Sequence, residues 1–236
     1  MDARKPIAYR NNMLLHNTSQ VLANPSPLLS DPTSGTPSHV RIGETNDDLR
    51  AIRSADVNLA IWRRSPPVTL NEAMLDAVDD LAIVRPIDLL ATMLPADLRT
   101  AGYPDATAAL LGADVATLAD AFARIVGATR VSIRLDVVET DACRRFHADY
   151  VTARLICTYV GPGTQWLDTI DAAALGEGAD VDTLTIRSLA TGDVGLFKGW
   201  LWSPDAPIVH RSPPILTTGE RRLLLVIDPA PAADPS

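Results

Sequence analysis

At Gly127 the apolar pattern of the chain changes period, and few architectures accommodate what lies on its two sides. Upstream, Val115, Leu118, Phe122, Ile125 and Val126 share one helical face, with Asp114 placed as N-cap and Gly127 as the C-terminal stop. Leu70, Met74, Val78 and Leu81 recur at helical spacing behind Thr69, a second candidate N-cap, and predict another amphipathic helix. Downstream the texture turns to short β-branched runs at 131–138, 153–160, 183–188, 194–197 and 223–227, with turn signals such as Gly161-Pro-Gly and Thr191-Gly-Asp between them. Helices first and strands second predict an α+β fold, in which N-terminal helices buttress one sheet of a small β-barrel formed by the C-terminal half.

The rest of the organisation follows from composition. Residues 17–48 are rich in Ser, Thr, Asn, Pro, Asp and Gly without sustained periodicity, the pattern of a loop or arm. Residues 57–62 read as a short β-run, admissible as an edge strand, that Arg63, Arg64 and the Pro66-Pro67 pair terminate. The expected division is a flexible arm over 1–50, a helical support region over 51–130, and a core over 131–230 that forms one globular unit with the support. At 236 residues the chain can bury a full-sized core. Its net charge of -8 and the absence of a Lys/Arg cluster interleaved with aromatics argue against nucleic acid as a partner. No apolar run approaches the roughly 20 residues needed to span a bilayer, and no signal peptide is visible, so no membrane partner and a cytoplasmic location are expected. Cys143 and Cys157 belong to no CxxC pair and are expected as reduced thiols.

Two of the four histidines fall in the strand-rich block. In His147-Ala-Asp149 an imidazole and a carboxylate stand two residues apart, so on an extended segment both project from one face and can hold one ion. A return strand can add His210. Two imidazoles and one carboxylate on one side of a cation leave the opposite positions open, the arrangement that non-haem Fe(II) oxygenases need for a chelating co-substrate and dioxygen. An arginine entering the last strand has a matching task, since its planar fork takes the distal carboxylate of 2-oxoglutarate bidentately. Arg221 and Arg222 compete for it; alternation turns only one of them inward, and Arg221 is favoured.

The order His147-x-Asp149, Arg154-Leu-Ile-Cys-Thr-Tyr159, Gly192-Asp-Val-Gly-Leu-Phe197, His210-Arg-Ser-Pro-Pro214 and Gly219-Glu-Arg221 resembles the Fe(II)/2-oxoglutarate-dependent dioxygenases, notably the prolyl-hydroxylase branch. That resemblance covers about the last hundred residues. It implies a double-stranded β-helix, jelly-roll or cupin-like, with His147, Asp149 and His210 as both metal and catalytic set. It also implies 2-oxoglutarate as co-substrate and oxidation of a small-molecule or peptide substrate. Because 131–138 lacks the tyrosine often found there, the resemblance leaves Tyr159 as the hydroxyl near the 2-oxoglutarate carboxylate. The segments Arg145-Phe-His-Ala-Asp149 and Val209-His-Arg-Ser-Pro-Pro214 also resemble those of an uncharacterised bacterial domain-of-unknown-function family associated with zinc-homeostasis gene neighbourhoods. The second resemblance implies an alternative, a cupin-like protein that binds zinc through the same triad without turnover.

Other residues have plainer readings beside functional ones. Arg154 and Lys198 are either solvent-facing strand residues or contributors to the site, Arg154 on the cofactor side. Trp166, Trp200 and Trp202 read as rim or core aromatics, which near a barrel mouth would favour an apolar or planar substrate. His16 and His39 are expected to be solvated, and Cys143 makes a weak fourth zinc ligand.

Overall fold

Ladder pairing gathers the strands into two sheets of very different size, and the computed structural model describes residues 35–232. Residues 1–34, with His16, and the last four residues lie outside the described residues. In chain order the elements are β1 (Val40–Gly43), β2 (Leu59–Trp62), β3 (Leu81–Pro86), α1 (Ile87–Thr100), α2 (Asp105–Val126), β4 (Arg130–Val138), β5 (Ala153–Val160), β6 (Gln165–Trp166), α3 (Thr169–Gly176), β7 (Arg187–Ser188), β8 (Val194–Lys198), β9 (His210–Arg211) and β10 (Arg222–Pro229). The large sheet has seven strands in the order β1-β2-β8-β5-β10-β4-β3, and the small one has three in the order β7-β6-β9. All pairings are antiparallel except the parallel β1–β2 ladder.

Alternation along the central strands fixes what each face meets. Leu155, Cys157, Leu196, Leu223, Leu225 and Ile227 share one apolar cluster with Leu94, Leu111, Leu118 and Phe122 of the two long helices. The opposite face offers Leu59, Ile61, Ile156 and Phe197, which cluster with Trp166, Leu189 and Ile208 from the small-sheet side. The large sheet is therefore covered on both faces, by helices on one and by the small sheet on the other.

This mixed α/β, sheet-rich core is not the closed barrel expected. The region 51–130 is also not purely helical support, because it donates β2 and β3 to the large sheet, and the supposed arm donates β1. These additions widen the sheet at both edges, while the small sheet offers only two-residue strands that cannot close around it. The run 57–62 lies between β1 and β8 and is not an edge. The run 183–188 shrinks to β7 behind a 3-10 turn at Val181–Thr183.

The helix expected over Leu70 to Leu81 does not form. Glu72–Asp76 makes one 3-10 turn capped by Asn71, and Leu81 opens β3, whose ladder to β4 satisfies the backbone with β-branched Ile83 and Val84 in register with Ile133 and Ser132. The helix lies further on, at α1, where Leu90, Leu94 and Leu98 bury one face at four-residue spacing. Gly127 does stop α2, in the left-handed conformation at φ 74°. Asp114, however, is no N-cap: it sits mid-helix and buried, paired with Arg64 through both oxygens at 2.6 and 2.8 Å and accepting from the Tyr159 hydroxyl at 2.5 Å. His39 is also buried, with Nδ1 2.5 Å from Asn58 Oδ1 and Nε2 accepting from Thr169 N, so it ties the start of β1 to α3. Both cysteines are free thiols, and burial pushes that of Cys157 up to about 12. None of the described helices is long and apolar enough to cross a membrane.

Removing one member of a buried ion pair leaves the other charge uncompensated. Asp114→Ala, which strands Arg64 between α2 and the large sheet, is expected to lower unfolding stability by roughly 3–5 kcal/mol in denaturant titration.

Candidate metal centre

The site is built where the small sheet meets the large one. His147 and His210 form an isolated antiparallel bridge with reciprocal backbone hydrogen bonds, His147 N to His210 O at 3.0 Å and His210 N to His147 O at 2.9 Å. Residues directly opposite in such a pair project to the same face, and the two rings stand 4.8 Å apart. His210 is fixed from the other side as well, since β9 pairs with β6 at Trp166 and the ring packs 5.0 Å from Phe197 of β8. Asp149 follows two residues after His147, and its carbonyl accepts from Trp200 N at 2.9 Å. That crossing requires Gly199: a side chain there would overlap the carbonyl oxygens of Val151 and Asp149, and nothing in the sequence pattern marked the residue.

One donor atom from each of His147, Asp149 and His210 lies within 4.8 Å of the others. The hydrogen bonding orients them. Nδ1 of His147 is 2.9 Å from Arg145 O, and Nδ1 of His210 is 3.3 Å from Ile208 O. A carbonyl can only accept, so in the neutral rings the proton sits on Nδ1 and the Nε2 lone pairs are left free. Those lone pairs converge on the carboxylate: Nε2 of His147 is 3.7 Å from Asp149 Oδ1, and Nε2 of His210 is 3.2 Å from Oδ2. Oδ2 is buried and accepts no hydrogen bond. Three electron-pair donors facing one point with no proton between them suit a cation.

Charge around the triad is arranged to the same effect. Burial opposes ionisation of Asp149, but when the imidazoles are protonated His210, then the Arg154 guanidinium and His147, outweigh it and hold the carboxyl well below the usual carboxylate range. Burial and then the neighbouring His210 push the His147 imidazole down, toward the neutral ligand form.

The arginines fall otherwise than expected. Arg221 faces away from the triad and pairs with Asp76 at 2.6 Å and Glu139 at 2.5 Å. Arg222 takes the inward position and is wholly buried. Its guanidinium donates to Pro162 O at 2.7 Å and to the hydroxyls of Ser212, Thr158 and Thr164 at 2.9, 3.1 and 3.2 Å. Among the described residues it makes no ion pair, and burial pushes its pKa down to about 10. Tyr159 is turned away too: with Leu155 and Cys157 it faces the helices, where it donates to Asp114, and Thr158 takes the inward place beside Arg222. Arg154 does face the triad, as an ion-pair partner of Asp149 at 2.7 Å and of Asp228, not as a free cofactor anchor.

Of the secondary candidates, Lys198 is buried and donates to Ser54 O, with Trp202 stacked 5.2 Å away. Trp166 is core, whereas Trp200 and Tyr150, on either side of the Asp149 crossing, are exposed. Cys143 is exposed and outside the donor cluster.

Residues 43–228 match the family described as a protein of unknown function, DUF1826. The chain belongs to that family. The triad, Arg154 and Arg222 all lie inside the matched range of this DUF1826 chain. No curated protein matches the sequence. Among solved structures it is similar to a dioxygenase for auxin oxidation from rice, at 13% identity and TM-score 0.43, covering 66% of this chain and 57% of that one. It is similar to dioxygenase for auxin oxidation 1 from Arabidopsis thaliana, solved with 2-oxoglutarate, at 9% identity and TM-score 0.40, covering 66% and 64%. A prolyl-4-hydroxylase from Pseudomonas putida aligns at 15% identity and TM-score 0.34, covering 68% and 92%. The chain thus spans less than two thirds of the length of the first two.

A methyl group at residue 199 must push the 149–151 backbone away. Gly199→Ala is expected to cost about 1–3 kcal/mol of stability by overpacking and, in isothermal titration, to weaken divalent-metal binding by more than about tenfold.

Proposed function

We propose that this DUF1826 protein is an Fe(II)/2-oxoglutarate-dependent oxygenase acting on a small molecule or peptide. The observation that carries the reading is the pairing, on one face, of a cluster of metal-ligating donors at His147, Asp149 and His210 with a buried guanidinium at Arg222 whose hydrogen-bond partners among the described residues are all neutral. A buried guanidinium without a counter-charge costs several kcal/mol, and a carboxylate relieves it. Ser212, which accepts from Arg222, stands two residues beyond His210, roughly 7 Å at extended-chain rise. The guanidinium and the donor cluster thus meet along one short segment, as a ligand that bridges a cation and an arginine requires.

In this reading His147, Asp149 and His210 hold the metal, and the carbonyl contacts at both Nδ1 atoms keep the two rings aimed. Arg222 binds the distal carboxylate of 2-oxoglutarate, with the hydroxyls of Thr158, Thr164 and Ser212 as further donors to it. Bound iron with 2-oxoglutarate supplies the oxidising power, giving succinate, carbon dioxide and oxidised substrate from dioxygen. Phe197 and Trp166, packed behind His210 and Ile208, keep water from the back of the ligand shell.

Anaerobic addition of Fe(II) and 2-oxoglutarate to the full chain is expected to give the visible charge-transfer band of a chelated keto acid, and admission of oxygen to give succinate. His210→Ala is expected to lose both. Arg222→Lys should keep metal and weaken 2-oxoglutarate binding by at least about tenfold, since the bidentate fork is lost, whereas Arg221→Ala should change neither. Protein that loads zinc, ignores 2-oxoglutarate and forms no succinate would overturn the proposal.

A further inference from the structure

Arg154 lies on the inward face of β5, one place before Leu155, where the ladder to β10 ends with Leu155 opposite Ile227, and its side chain meets that of Asp228, the next residue of β10. The guanidinium uses every nitrogen. Nε donates to Asp228 Oδ1 at 2.7 Å and Nη2 to Asp228 Oδ2 at 2.8 Å, a bidentate fork that fixes the plane of the group. The remaining Nη1 reaches Asp149 Oδ1 at 2.7 Å. The two oxygens of Asp149 are thereby made unlike: Oδ1 is taken by a cation from the chain itself, while Oδ2, buried and without a hydrogen-bond donor, faces His210 Nε2.

We propose that Arg154, clamped by Asp228, is a positioning residue that reserves Oδ1 of Asp149 and offers the metal Oδ2 alone. The inference rests on the reading of His147, Asp149 and His210 as a metal site. Its physical content is a constraint on coordination. A carboxylate free to turn about its terminal torsion can bind an ion with both oxygens and so fill a position that a co-substrate or water needs. The clamp at Oδ1 opposes that turn and takes one of the oxygen's two lone pairs. The guanidinium also draws charge from the carboxylate, which weakens it as a donor and leaves the ion more electrophilic. Lysine is no equivalent, because a single ammonium cannot grip one carboxylate with a fork and reach a second in a fixed direction.

The test uses the full chain loaded with Mn(II), reading affinity and water-proton relaxivity per bound ion for the wild type, Arg154→Met, Arg154→Lys and Asp228→Asn. Both Arg154→Met and Asp228→Asn are expected to keep binding Mn(II) while relaxivity per bound ion falls by roughly a third, one of the three positions that a facial set of three ligands leaves on an octahedral ion. Arg154→Lys is expected to recover part of that loss. Unchanged relaxivity in Arg154→Met overturns the proposal, and if that variant does not fold, Asp228→Asn decides by the same criterion. A wild type that binds no Mn(II), or a His147→Ala variant that binds it as tightly as wild type, overturns the metal site itself and this inference with it. Wild-type binding with unaltered relaxivity in the variants overturns the positioning role alone.

Discussion

The reciprocal backbone hydrogen bonds between His147 and His210 are the joint on which the site depends. They bring two residues far apart in sequence to directly opposed positions, which puts both imidazoles on one face without help from side-chain contacts. The segment after His147 continues across Gly199, and Asp149 arrives beside both rings. Backbone pairing is a strong source of precision because it is directional and shared among several bonds; a cluster assembled from flexible side chains alone would need each rotamer fixed separately.

The large sheet makes that joint rigid by serving two masters. Its helix-facing side is largely apolar, and in the Arg64, Asp114, Tyr159 and Cys157 group a bidentate ion pair and a phenol hydroxyl satisfy one another and lock α2 to β5. Its other side carries Phe197, Ile156 and Val226 between two charged stations, Arg154 with Asp228 near one end and Arg222 near the other. The stations are chemically opposite in kind. Arg154 is neutralised by two carboxylates, and its charge serves to hold them; among the described residues Arg222 meets only neutral acceptors. That difference, more than the presence of arginine at either place, gives the face its polarity.

Much of the strand-rich half was legible as sequence. The runs at 131–138, 153–160, 194–197 and 223–227 each lie within or coincide with an observed strand, because β-branched residues, alternation and turn glycines act locally. The N-terminal half was less legible. Leu70 to Leu81 has helical spacing, yet Leu81 is claimed by the β4 ladder; Val40–Gly43 looked like arm, yet it pairs with β2. Short strands of this kind have little propensity of their own and exist through partners that come later in the chain.

What the sequence alone determined is residue type at fixed short spacing: the imidazole and carboxylate of His147-Ala-Asp149, the stop at Gly127, the adjacency of Arg221 and Arg222. Tertiary structure decided every matter of which face. It turned Arg222 inward and Arg221 out, sent Tyr159 to the helices and Thr158 to the site, and put Asp114 in mid-helix against Arg64. The physical reason is that a strand's period of two makes facing a matter of parity, and parity is set by register against neighbours, which the loops between strands do not transmit.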